Sequence, residues 1–167
     1  MNDMIDLILR AVPIGIGATA LLDLWALMLN RFFGISPANW AMVGRWIGHF
    51  PRGRFVHTSI AAAPPVAGER SIGWAAHYLI GVGFAVLLLG VYGRGWASDP
   101  TLIPALIFGL ATVIAPFFLM QPAMGSGIAA SKAPNPGAAR ARSVASHLVF
   151  GIGLFAAAWV GARIWDL

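Results

Sequence analysis

The apolar positions of this chain fall into four long runs, about residues 9–30, 71–93, 100–120 and 143–162, separated by polar and Gly/Pro-rich sequence. Each is long enough to cross the hydrocarbon core of a bilayer, which takes ~20 residues of helix. The pattern between the first two runs is different. In SPANWAMVGRWIGHF, Ser36 and Pro37 read as an N-cap and a first helical position, and Trp40, Val43 and Ile47 follow at helical spacing with Arg45 and Trp46 beside them. This predicts an amphipathic helix over about 37–49 lying in the membrane interface, with Trp40 and Trp46 as interfacial anchors. The expected fold is an all-α membrane protein, a four-transmembrane-helix bundle forming a single integral membrane domain over 1–167.

Composition agrees with that pattern. Hydrophobic residues make up 59% of the chain and charged residues 10%, far from the balance of a soluble domain. The leading segment MNDMIDLILR carries two aspartates and one arginine, the wrong balance for a cleaved signal peptide, so the first run is expected to stay as an anchor. The chain has no cysteine, which removes disulfides, thiolate metal sites and thiol catalysis.

The net charge of +5 acquires meaning by position. Arg31, Arg45, Arg52, Arg54 and Arg70 flank or occupy the first loop, and Lys132, Arg140 and Arg142 lie in the third. Arg10, Arg94 and Arg163 fall on the other side. The asymmetry places the first and third loops in the cytoplasm and both termini outside, in the periplasm if the membrane is a bacterial inner membrane. Basic loops lying against anionic lipid headgroups account for the charge. No basic helix face or aromatic-basic platform points to nucleic acid.

A repeat runs through the chain. HYLIGVG at 77–83 returns as HLVFGIG at 147–153, sharing H-x-x-x-G-x-G, and SIAAA at 59–63 resembles GIAAS at 127–131. GATALLD at 17–23 is a weaker match to GLATVIAP at 109–116. Two duplicated helical hairpins of the same orientation would produce this pattern, and so would chance likeness between two Gly-rich spans.

Three ionisable residues inside the runs are the candidate chemistry. His77 and His147 each lie four residues into their runs, ~6 Å along a helix, with small residues at i−4 and i+4 (Gly73 and Gly81, Ser143 and Gly151). Asp23 shares a helix face with Thr19, Ala20, Ala26 and Asn30, ~12 Å from the Arg31 end. A lone carboxylate there costs about 2.5–3.5 kcal/mol, so a partner or a proton is expected. His57, Glu69 and Gln121 extend this cluster from the loops, although for Glu69 an ion pair with Arg70 or a first-loop arginine is the favoured reading. His49 reads as interfacial. The bland reading is that each histidine hydrogen-bonds a carbonyl and holds its hairpin together. GSGIAASK lacks the glycine before its lysine that a phosphate loop needs, and GIGLFA lies inside a membrane helix, where close packing explains it.

The blocks NWAMVGRWIGHFPRGRF, HTSIAAAPPVAGERSIGWAAHYLIG and QPAMGSGIAASKAPNPGAARARSVASHLVFGIG resemble the bacterial membrane family labelled domain of unknown function 2938. The resemblance covers nearly the whole chain and implies a small four-span inner-membrane protein; it supplies no activity, ligand or catalytic residue.

Three roles fit these residues. Asp23, His77 and His147, with His57, Glu69 and Gln121, would bind or translocate protons or a small polar solute. Alternatively, His77 and His147 would ligate haem or join a carboxylate around a divalent metal. As a third role, the chain is an accessory subunit, a homo-oligomer or part of a membrane complex, its polar residues fixing helix packing. Enzyme activity ranks last, because no nucleophile or metal triad is visible.

Overall fold

The computed structural model describes residues 3–165 and, over that range, contains helices and turns without strands. Four helical stretches are long and apolar enough to cross a membrane: Asp3–Phe33, Glu69–Tyr92, Leu102–Ala123 and Pro136–Ile164. No more than a third of the most apolar window of any of them is buried. Leu79, Val91, Ile103 and Leu119 stand mostly exposed, as side chains facing lipid would. The chain is a multi-pass, four-helix membrane protein.

Helix α1 (Asp3–Phe33), α3 (Glu69–Tyr92) and α7 (Pro136–Trp165) run without interruption and start earlier than the apolar runs do. For α7 the reason is Asn135–Pro136: the Asn135 side chain accepts from the Ala138 amide, and proline needs no partner in a first turn. Arg140 and Arg142 are therefore helical. His147 lies ~16 Å from the start of α7 and His77 ~12 Å from the start of α3, not the matched ~6 Å expected from the apolar runs.

The third span is broken rather than continuous. Helix α5 (Leu102–Ala111) ends at a turn, and a π turn over Pro116–Met120 leads into the short α6 (Gln121–Ala123). Pro116 has no amide to give the Thr112 carbonyl; that carbonyl takes the Ala115 amide instead, at 3.1 Å. Between the spans lie α2 (Trp40–Gly48) and α4 (Arg94–Ser98). A helix forms in the first loop where one was expected, but its N-cap is Asn39, whose side chain accepts from Ala41, and not Ser36. Three-residue 3₁₀ turns form at Phe50–Arg52, Ile60–Ala62 and Ile128–Ala130, the last two over the same tripeptide IAA of the repeat.

The chain divides into two compact units. The first takes Met1–Pro37, Tyr78–Ala111 and Ser146–Leu167, and the second Ala38–His77 and Thr112–Ala145. The first unit holds the apolar core, including Ile14, Leu88, Leu89, Phe150 and Leu154. Its helices touch through small residues. A Cβ on Gly81 would run into Thr19 of α1, and one on Gly151 would lie 2.7 Å from the Ala105 carbonyl of α5. The first glycine of each H-x-x-x-G-x-G copy thus seats the first helix of its own hairpin. The second glycines differ: Gly153 packs on Ala18, while nothing lies within 4 Å of a Cβ on Gly83. At one end of this unit, Asp6 accepts from both Arg10 and Arg94 at 3.3 Å.

Candidate functional site

The second unit is assembled around polar groups. Helix α2 crosses the first turns of α3 with backbone against backbone: Gly44 faces the Glu69 carbonyl and Gly73 the Trp40 carbonyl, and neither position has room for a side chain. This approach brings Arg45 to Glu69, where Nε and Nη2 donate to the two carboxylate oxygens at 2.8 Å each. Arg45 Nη1 donates further to the carbonyls of Ala61 at 3.2 Å and Ala63 at 3.1 Å. Glu69 Oε2 also accepts the Val66 amide at 3.0 Å, holding the turn that leads into α3. The paired carboxylate holds the Arg45 guanidinium above its ordinary range. This fork-to-fork geometry is the strong form of an ion pair, and its stitched segments are two turns of loop and two helices.

Behind it lies a histidine pair. His49, at the end of α2, is 1% exposed and not interfacial. Its Nδ1 sits 2.7 Å from His57 Nε2, and its Nε2 sits 3.1 Å from the Pro64 carbonyl. The carbonyl can only accept, so His49 Nε2 carries the hydrogen. Neutral His49 then offers a lone pair at Nδ1, and His57 Nε2 must donate to it. Neutral His57 is left with a bare Nδ1, which is buried and has no hydrogen-bond partner among the described residues. Burial first, then His49 and Arg54, push the His57 pKa below its ordinary value.

His57 also lines an open pocket of about 530 Å³, together with Thr58, Pro122, Gly125, Gly127, Ser131 and Lys132 among others. First-loop backbone forms one wall and the Gly-Ser-Gly loop the other. The His57 amide donates to the Ala123 carbonyl at 2.8 Å and the Ile60 amide to the Met124 carbonyl at 3.0 Å. Gly125 lies so close against the Thr58 carbonyl that a Cβ would collide with it. Beyond Gly127, Ala129 and Ala130 both take left-handed φ values, 48° and 55°, which an L side chain resists. The Ala129 carbonyl is held by Arg140 Nε at 2.8 Å.

The other candidates have contacts of their own. Asp23 accepts from the Tyr78 hydroxyl at 2.9 Å in the first unit. His147, also there, bonds the Gly109 backbone and so ties α7 to α5. His77 belongs to the second unit, 6% exposed, with its ring stacked on Trp40 at 3.8 Å and edge-on to Trp74 at 5.8 Å. Gln121 approaches Ser143 at 3.5 Å, and its side-chain oxygen is buried with no partner among the described residues. Trp46 donates to the Phe55 carbonyl at 2.7 Å. Among the described residues, no three His, Asp or Glu side chains form a metal-ligand group.

Sequence reading missed Arg45 as a hub and His49 as a buried partner. The spacing of Gly44 before Arg45, facing Gly73 after Glu69, was the available signal: two glycines flanking opposite charges at a helix crossing.

Over residues 12–161 the chain matches the family described as Protein of unknown function (DUF2938). It belongs to that family. The match takes in every residue of the Arg45–Glu69 clamp, the histidine pair and the pocket. No curated protein and no solved structure matches the chain.

Proposed function

We propose that this DUF2938 member binds a small polar solute in the His57 pocket and exchanges a proton with it through the His49–His57 pair. The carrying observation is the tautomer chain from the Pro64 carbonyl through His49 to His57, which leaves one bare imidazole nitrogen on a residue lining an open pocket. An imidazole near neutral pH takes up and releases protons readily, and a partner ring on its other nitrogen fixes which atom does so. The pocket's size is that of a metabolite site. Its closely packed walls suit binding: glycine-close backbone contacts on one side, and a strained loop held by Arg140 on the other.

The test is proton flux in proteoliposomes carrying a pH-sensitive dye. Wild-type protein should dissipate an imposed pH gradient, and His57→Gln and His49→Gln should each abolish that flux while the protein remains folded. Flux unchanged in both variants would remove the proposal.

A further inference from the structure

The two units carry their charge very differently. Along its segments the first has four arginines and five aspartates, close to balance. The second has seven arginines and lysines against one carboxylate, Glu69, and that carboxylate is fully engaged by Arg45. The remaining cations have no acidic partner within their unit. Lys132 lines the pocket, and no Asp or Glu does. Ser131 adds a hydroxyl donor, and Arg54 lies near enough to act electrostatically on His57.

We infer that the pocket takes an oxyanion, a phosphate-type group, and that it binds together with one proton held by the His49–His57 pair. The inference deepens the proposed reading and rests on it. With the pocket empty, every charge facing His57 opposes its protonation. Arg54 and His49 act against the proton, Lys132 lines the same pocket, and Glu69 is engaged by Arg45. An oxyanion beside Lys132 reverses that balance and makes the imidazolium favourable. The proton enters at His57 Nδ1, the one nitrogen of the pair without a hydrogen or a partner, while the Nε2–H bond to His49 persists. Because the anion favours the proton, the proton must favour the anion equally. Affinity therefore rises as pH falls, by about tenfold per pH unit where one proton is taken up per anion.

The oxyanion can come from a soluble compound or from a lipid headgroup, and the two are separable. Protein with labelled histidines is placed in phosphatidylcholine nanodiscs, and the ring signals of His49 and His57 are followed from pH 5 to 8. Sulfate serves as the probe because its own charge is constant over that range. Sulfate should raise the titration midpoint of the pair, and its Kd should fall about tenfold for each unit of acidification. Lys132→Ala should abolish both effects and Lys132→Arg should keep them; Lys132 is exposed, so neither substitution disturbs packing. If phosphatidylglycerol in the nanodisc raises the midpoint and sulfate does not, the anion is a headgroup and the chemistry stands. A midpoint unmoved by either, or moved equally in Lys132→Ala, overturns the inference, and does so even if the proteoliposomes conduct protons. A raised midpoint in protein that shows no flux supports the anion site while removing the proton-exchange function.

Discussion

In the first unit, helices meet because side chains are missing; in the second, they meet because side chains bond. Gly15, Gly81, Gly109, Gly151 and Gly153 let backbones touch directly, with Thr19 bonding its own helix at Gly15. Lipid tails give helices no hydrophobic reason to associate, so close backbone packing is what holds such a unit together. The second unit uses glycine for its helix crossing at Gly44–Gly73, and that closeness brings together Arg45 and Glu69, with a pair of imidazoles behind them. Segments with irregular backbone have many carbonyls to satisfy, and a guanidinium with five donors satisfies several at once. The contrast fits the charge imbalance of the second unit and the open pocket that unit carries.

The sharpest way to break the contrast is at that glycine crossing. Gly44→Leu or Gly73→Leu should cost about 3 kcal/mol or more, since backbone on both sides cannot yield. Thermal unfolding in detergent would register it as loss of the cooperative transition. Next in size is the clamp. Arg45→Met should lower the thermal midpoint more than Glu69→Gln, because it also strands the Ala61 and Ala63 carbonyls. The swap Arg45→Glu with Glu69→Arg should not rescue, since a carboxylate at 45 would face those same carbonyls. Equal effects of the two single variants would mean that the carbonyl bonds contribute nothing.

A smaller effect is expected in the first unit, where Tyr78→Phe removes the donor to Asp23. Such bonds within membrane bundles are worth about 0.6–1.7 kcal/mol. A double-mutant cycle with Asp23→Asn should return a coupling in that range. The fourth expectation concerns pH. His57 is less basic folded than at its ordinary value of 6.5, so the unfolded chain binds the proton first. Stability should therefore decline as pH drops below about 6.5 and level off below the folded pKa. His57→Gln should flatten that part of the profile, and an unchanged slope would contradict the assignment. The smallest effect belongs to Gly83→Ala, which adds a methyl to open space and should stay within about 0.5 kcal/mol of wild type, while Gly81→Ala does not.

The spans were legible because bilayer thickness imposes a length on apolar runs. Their ends were less so: Asn135–Pro136 starts α7 seven residues before the apolar run, since charged residues are as helical as apolar ones. Pro116 announced the break in the third span, but an apolar count passes over it. At the site, His57 and Glu69 were visible as ionisable loop residues. A first-loop arginine was expected beside Glu69, but which one, and the partner of His57, were not legible, because pairing across 24 residues depends on how α2 crosses α3, and periodicity treats each helix alone. His49 looked interfacial for that reason, although it is buried beside its neighbours in space, His57 and Pro64.

One guanidinium has a wider consequence. By gripping Glu69, Ala61 and Ala63 together, Arg45 cinches a long inter-helical excursion into short tethered arcs, much as a crosslink would. A chain without cysteine thereby gains a staple that reductants cannot open and oxidants cannot scramble. Its fastening is electrostatic, so it yields instead to strong acid, through protonation of the carboxylate it holds.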